Sequence, residues 1–140
     1  MKDIRIQMSS EDTIINTFFW SNNTMLDTEL GDKLNAYYNN DLCVSAVLYT
    51  EKTFVSIVLY VYKLKHLKKA IEEINKYIFL KYPNSYKVST TIVEKDYFGM
   101  HFLKKSNYQI EACLRQHCRI KGQLHNVYLM ACYREGIDHI

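Results

Sequence analysis

The sequence predicts an α+β fold (mixed α/β), a central and mostly antiparallel sheet flanked by helices. Two stretches of β-branched and aromatic residues are each divided by a short polar turn, residues 66–81 repeat their apolar positions at helical spacing, and strand and helix patterns alternate without an internal repeat. Composition sets the scale. A chain of 140 residues with 48% hydrophobic content can bury one core and not two, so residues 1–140 read as a single domain. One Pro, four Gly and no single-sign charge tract exclude a disordered or low-complexity chain.

Ile4 to Met8 alternate in character and read as a first strand. Ser9 and Ser10 ahead of Glu11 and Asp12 have the form of a helix N-cap, Ile14, Ile15, Phe18 and Phe19 follow at helical spacing, and Ser21-Asn22-Asn23 breaks the pattern. A second helix is predicted next, capped by Thr24 or Asp27, with Leu26, Leu30, Leu34, Tyr37 and Tyr38 as its stripe and Asn39-Asn40-Asp41 as its end. From Leu42 to Lys63 the residues become β-branched and aromatic, split at Thr50-Glu51-Lys52, which predicts a hairpin. Leu67, Ala70, Ile71, Ile74, Tyr77 and Ile78 then cover one face of a helix over 66–81, stopped by Pro83. A strand over 86–93 leads to Asp96, the N-cap of a short helix closed at Ser106-Asn107, where Asn tolerates a left-handed conformation. Two final strands, 108–119 and 124–133, flank Lys121-Gly122-Gln123.

Several function classes fall away on composition. No apolar block behind Met1 has the form of a signal peptide, and the longest apolar run, Phe54 to Tyr62, is too short to cross a bilayer, so the chain reads as cytoplasmic with no membrane role. A net charge of +3 gives no global attraction to nucleic acid; the lysines around His66 form a small patch with no accompanying motif. Cys43, Cys113, Cys118 and Cys132 read as reduced structural thiols, and Cys113, Cys118, His117 and His125 lack the paired CxxC knuckle of a zinc site, so no metal is expected.

The segment from Tyr86 to Glu135 carries a series of phrases: Lys104-Lys105-Ser106-Asn107-Tyr108, Glu111-Ala112-Cys113-Leu114-Arg115, Lys121-Gly122, then Val127 to Met130 with Arg134-Glu135. In order and spacing this resembles the C-terminal half of GNAT acetyltransferases, in particular the branch of ribosomal-protein and amino-sugar N-acetyltransferases, whose pattern runs EKxGF, EGxLR, a Gly-containing turn and a closing RE. Ile4-Arg5-Ile6, the Ser-Glu-Asp helix start and Trp20 resemble the opening of that family. The resemblance implies a GNAT-like sheet, somewhat truncated, and an N-acyltransferase moving an acetyl or other acyl group from acetyl-CoA or another acyl-CoA to an amine on a small molecule, an amino sugar or a protein.

The same resemblance implies where the acyl-CoA would sit. In the family a strand splays from its neighbour into a glycine-rich turn whose amides and following helix N-terminus bind a pyrophosphate; glycine permits the close approach and the helix dipole favours an anion. The equivalent segment here, Tyr62-Lys63-Leu64-Lys65-His66-Leu67-Lys68-Lys69-Ala70, contains no glycine and four lysines. Cofactor contacts are accordingly expected from Tyr60, Val61 and Tyr62 on the strand, from Lys63, Lys65, His66, Lys68 and Lys69 at the turn, and from Asp96, which stands where the family has Asn. The lysines read equally as the solvated start of a helix. A general-acid tyrosine of some relatives would fall at Leu103, so Tyr97 or Tyr108 would have to substitute. Glu51, His117 and His125 are the candidate bases for deprotonating the amine, and Tyr37, Tyr38, Tyr49, Tyr60, Tyr62 and Tyr108 are candidates for an acceptor groove or for aromatic packing.

The glycine-free turn also supports a second class of function, a catalytically degenerate GNAT-like domain that works as a protein-binding or regulatory module, as a homodimer or with another protein.

Overall fold

The computed structural model describes residues 4–9 and 31–135. The predicted first helix and the start of the second lie outside the described residues. Among the described residues, strands β1 (Ile4–Ser9), β2 (Asp32–Tyr38), β3 (Asp41–Thr50), β4 (Phe54–Val61), β5 (Lys87–Val93), β6 (Gln109–Ile120) and β7 (Gln123–Tyr133) form one sheet in the order β1-β2-β3-β4-β5-β7-β6. Helix α1 (Leu67–Lys81) joins β4 to β5, and α2 (Tyr97–Lys105) joins β5 to β6. Every neighbouring pair is antiparallel except β4 and β5, which run parallel.

One correction concerns residues 32–38. They were expected to end a helix and instead form β2, between β1 and β3. Leu34, Tyr37 and Tyr38 fit a helical stripe, but Leu34, Ala36 and Tyr38 fit a period of two equally well, and pairing on both sides decides in favour of the strand. Asn39-Asn40 is therefore a hairpin turn, with Asn39 at φ 56 in the left-handed region that Asn tolerates. The register shift between Ala36 and Tyr37 leaves Cys43 as the extra residue of a bulge on β3.

Alternation divides the sheet into two faces. Leu34, Ala36, Val44, Ala46, Val55, Ile57, Leu59, Val61, Val88, Ile92 and Met130 pack against α1 and α2. Helix α1 contributes Leu67, Ala70, Ile71, Ile74 and Ile78, the stripe its sequence predicts, each at most 1% exposed. Burying a side chain of this size stabilises by about 1.5–3 kcal/mol. Helix α2 packs closely because residue 99 is glycine; a Cβ there would collide with Ile92 Cδ1. On the opposite face Val47, Val58 and Tyr60 form a second buried cluster, joined by Tyr49 and Tyr62.

Candidate functional site

The chemistry of the site begins with the one parallel seam. β4 and β5 pair over only three positions, Phe54↔Lys87, Val55↔Val88 and Ser56↔Ser89. Where the next rung would form, Thr90 Oγ1 donates to the Ile57 carbonyl at 2.9 Å, and beyond it the strands part. Antiparallel partners exchange hydrogen bonds at alternate residues. Since the Tyr62 N–H donates to the Cys43 carbonyl, β4 directs Leu59 and Val61 main-chain groups away from β3 and toward β5. Glu94 N–H donates to Asn126 and Arg134 N–H to Tyr86, so β5 in turn directs Thr91 and Val93 toward β4. The Val93 carbonyl is taken by the Asp96 N–H. The other main-chain groups that Leu59, Val61, Thr91 and Val93 turn inward have no partner among the described residues. Leu59 is 2% and Val61 0% exposed. Buried main-chain groups are almost always paired, so this slot calls for a ligand or water carrying its own donors and acceptors.

The slot ends at the start of α1. His66 takes φ 65, ψ 15 as the N-cap residue, and the Leu67 N–H closes a turn onto the Leu64 carbonyl at 3.2 Å. His66 thus fills the turn position at which glycine is usual. Its ring stacks on Tyr38 with centroids 3.7 Å apart, and this packing holds a left-handed residue that would otherwise be strained by about 1–2 kcal/mol. His66 Nε2 is sealed and without a hydrogen-bond partner. The first helical bond runs from Ala70 N–H to the His66 carbonyl, leaving the Lys68 and Lys69 amides as free donors among the described residues. No acidic residue and no side-chain cap occupies this turn. The end of the helix is therefore positive and bare, a suitable place for an anion.

The lysines separate into two groups. Lys63 pairs with Asp41 at 3.3 Å, Lys68 with Glu72 at 3.2 Å and Lys69 with Glu73 at 3.2 Å. Lys65 is exposed and pairs with no carboxylate among the described residues. Val61 turns its main chain into the slot, whereas Tyr60 and Tyr62 turn theirs to β3, with the Tyr60 ring on the face away from α1. Burial raises the Tyr60 phenol above its ordinary range, and neighbouring Tyr49 and Tyr62 add to the effect. Asp96 lies at the far lip of the slot and caps α2, its Oδ1 accepting from Gly99 N–H at 2.9 Å.

The candidate acids and bases are scattered. Glu51 is exposed in the turn before β4, about 20 Å along the strand from the open end of the slot. His117 is exposed on the edge strand β6, within its bulged stretch. Tyr108 is buried on the α1 face, where its hydroxyl donates to Asn75 Oδ1 at 2.7 Å and burial drives its pKa well upward. His125, only 6% exposed, lies two residues along β7 from Val127, the partner of Val93, and so just beyond the tip of β5. Glu94 is beside it, its Oε2 accepting from the Asn126 N–H at 2.9 Å. Glu94 carries no motif and was not predicted; its place directly after a strand that ends at the slot is the only sequence signal for it. The inward main-chain groups of Leu59 and Thr91 have no side-chain signature at all.

A cavity of ≈ 590 Å³ lies at the other end of the sheet, between the second half of α1, Ser106-Asn107 and the end of β7. None of the predicted site residues lines it. Among the described residues no helix is long and apolar enough to cross a membrane.

Among the described residues a mixed sheet has one parallel pair that splays beside a helix N-terminus, and the fold is that of GNAT-family acetyltransferases. Among solved structures it is similar to a spermidine N-acetyltransferase from Vibrio cholerae, in complex with CoA and spermine, at 13% identity and TM-score 0.63 over 73% of this chain. It is similar also to a GNAT-family acetyltransferase from Streptococcus pneumoniae, at 14% identity and TM-score 0.62 over 81% of this chain and 68% of that one. An acetyltransferase from Salmonella typhimurium that modifies the N-terminal serine of ribosomal protein L7/L12 matches at 9% identity and TM-score 0.64, over 75% of this chain and 64% of that one. The chain spans 64% of the length of the spermidine enzyme. No family model and no curated protein sequence matches it.

Proposed function

We propose that residues 1–140, as one domain in the cytoplasm, transfer an acetyl or other acyl group from acyl-CoA to an amine. The observation that carries this reading is the slot between β4 and β5, lined by unpaired main-chain donors and acceptors and ending at bare helix amides. An extended arm with its own amides would pair with Leu59, Val61 and Thr91, as an added strand does. Its diphosphate would meet the Lys68 and Lys69 amides, with Lys65 as the available cation. Tyr60, Val61, Tyr62, His66 and Asp96 would flank this path. The acyl-CoA supplies an activated thioester as substrate.

The chain's own contribution is position. Holding the thioester carbonyl beside an amine replaces a bimolecular encounter with a local one. The amine nitrogen forms the new C–N bond, the C–S bond breaks with CoA leaving as its thiolate, and the amine proton passes to a base, directly or through water. Of the carboxylates and imidazoles, Glu94 and His125 at the tip of β5 lie nearer the slot than Glu51 and His117.

A second reading, a GNAT-like domain without CoA binding that acts on a protein partner, is favoured by the glycine-free turn and by the internal pairing of three of its four lysines. Isothermal titration with acetyl-CoA, octanoyl-CoA and CoA decides between them. Micromolar binding of at least one supports the transferase, and heats equal to buffer for all three support the protein-binding module.

A further inference from the structure

Helix α1 carries a second row of side chains beside the stripe that packs on the sheet. Leu67, Ala70, Ile71, Ile74 and Ile78 fill the core, whereas Glu72, Asn75 and Phe79, at spacings of three and four, run along the flank and line the cavity of ≈ 590 Å³. The opposite wall is Ser106-Asn107 and the end of β7, and the lining residues all fall within 72–135. Leu80, Asn107 and Glu135 on its rim are exposed, so the cavity opens to solvent. Its volume suits a small molecule.

Two hydrogen-bond donors serve this space. Asn75 is 5% exposed, and its Oδ1 accepts from the Tyr108 hydroxyl at 2.7 Å, which leaves Nδ2 with no acceptor among the described residues. Since His66 Nε2 is the one described side-chain atom both sealed and unpartnered, Asn75 Nδ2 is not sealed, and the space that Asn75 lines is this cavity. An amide set so deep is costly to leave unpaired, and a ligand oxygen would relieve it. One helical turn further on, the Arg134 guanidinium lies 4.7 Å from the Phe79 ring centroid. Its Nε donates to the Ser85 carbonyl at 2.8 Å and its Nη2 to the Phe79 and Tyr82 carbonyls at 2.9 and 3.1 Å. These bonds fix the group and leave Nη1 with no acceptor among the described residues.

Acceptors stand nearby. Burial raises the Cys132 thiol, and the Glu135 and Glu72 carboxylates raise it further, so both carboxylates lie around the Cys132 part of the lining. Glu72 already accepts from Lys68 at 3.2 Å, whereas Glu135 pairs with no cation among the described residues. Glu72 and Glu135 balance Lys76 and Arg134, which leaves the lining without net charge. We infer that this cavity is a second ligand site, separate from the acyl-CoA slot, for a free α-amino acid with an apolar side chain. Its carboxylate accepts from Asn75 Nδ2 and Arg134 Nη1, its ammonium faces Glu135, and its side chain packs on Phe79, Leu80 and Cys132. A simple acid or a simple amine leaves one of these polar sets unpaired. The inference does not depend on acyl transfer.

Isothermal titration of the full chain with leucine tests this, beside 4-methylpentanoate, which lacks the ammonium, and 3-methylbutylamine, which lacks the carboxylate. Leucine should bind, and each analogue should bind at least about tenfold more weakly. Glu135→Gln alters an exposed side chain and should weaken leucine about tenfold. Asn75→Asp keeps an acceptor for the Tyr108 hydroxyl, removes the donor and should weaken leucine by at least as much; circular dichroism checks its fold, and Glu135→Gln carries the test if that fold is lost. CoA titration should be the same for Glu135→Gln and the parent. No heat from leucine up to about 10 mM, either analogue binding as tightly as leucine, or an unaltered leucine affinity in Glu135→Gln overturns the inference.

Discussion

Replacing Tyr108 by Phe tests whether this hydroxyl belongs to the fold or to the chemistry. The ring keeps its contacts, and only the hydrogen bond to Asn75 Oδ1 at 2.7 Å is lost. Both residues are buried, Tyr108 at 3% and Asn75 at 5% exposure. An orphaned buried acceptor costs about 1–3 kcal/mol, and the depth of this pair supports a value of about 2 kcal/mol. In a chain of this length that lowers Tm by about 7 °C. Urea unfolding followed by circular dichroism should show a lower midpoint with an unchanged slope. Asn75→Leu combined with Tyr108→Phe removes both partners and should cost less than the two single changes added together. CoA affinity and transfer at a temperature well below Tm should remain those of the parent. An unchanged urea midpoint with transfer abolished would refute the reasoning and return Tyr108 to the chemistry.

Three further outcomes follow from the described contacts. Asp96→Ala removes the acceptor for the Gly99 N–H and should destabilise by about 0.5–2 kcal/mol in urea, whereas a change below a few tenths would mean that the cap contributes nothing. Burial opposes ionisation of Glu111, but hydrogen bonds from Tyr133 and Lys87 outweigh it and hold the carboxyl below its ordinary range. The stability it contributes is present above the unfolded pKa of about 4.3 and is lost as pH falls through the lower folded value, so Lys87→Met should flatten the acid limb of urea midpoint against pH; an identical limb rejects the linkage. A thiol reagent at pH 8 should modify the exposed Cys113 quickly and spare buried Cys43, Cys118 and Cys132. Burial pushes the Cys132 thiol to about 11, leaving about one thiolate in a thousand; rapid modification of more than one thiol per folded chain contradicts this protection.

How far the sequence could be read depended on which period dominated. Helix α1 was legible because its apolar residues recur only at helical spacing and Pro83 follows its end. The two late strands were legible because Lys121-Gly122 punctuates them, with positive φ at both positions. β2 was not, since Leu34 and Tyr38 satisfy two periods at once and Asn39-Asn40 serves equally as a helix stop and a hairpin turn. The site was less legible than the fold. Its slot is made from main-chain groups, whose exposure depends on where two strands part and not on side-chain identity. The left-handed position of the turn was sought as a glycine and is occupied by His66, held by its stack on Tyr38.

The three-rung seam also divides the order of assembly. β2 to β4 can zip together from hairpins, as can β6 with β7, but joining β4 to β5 requires partners 33 residues apart to meet, and only three rungs reward it where seven reward the pairing of β5 with β7. Closing that distance comes with little local reward, so the seam should be the last part of the sheet to assemble and the first to exchange its amide hydrogens when the chain breathes.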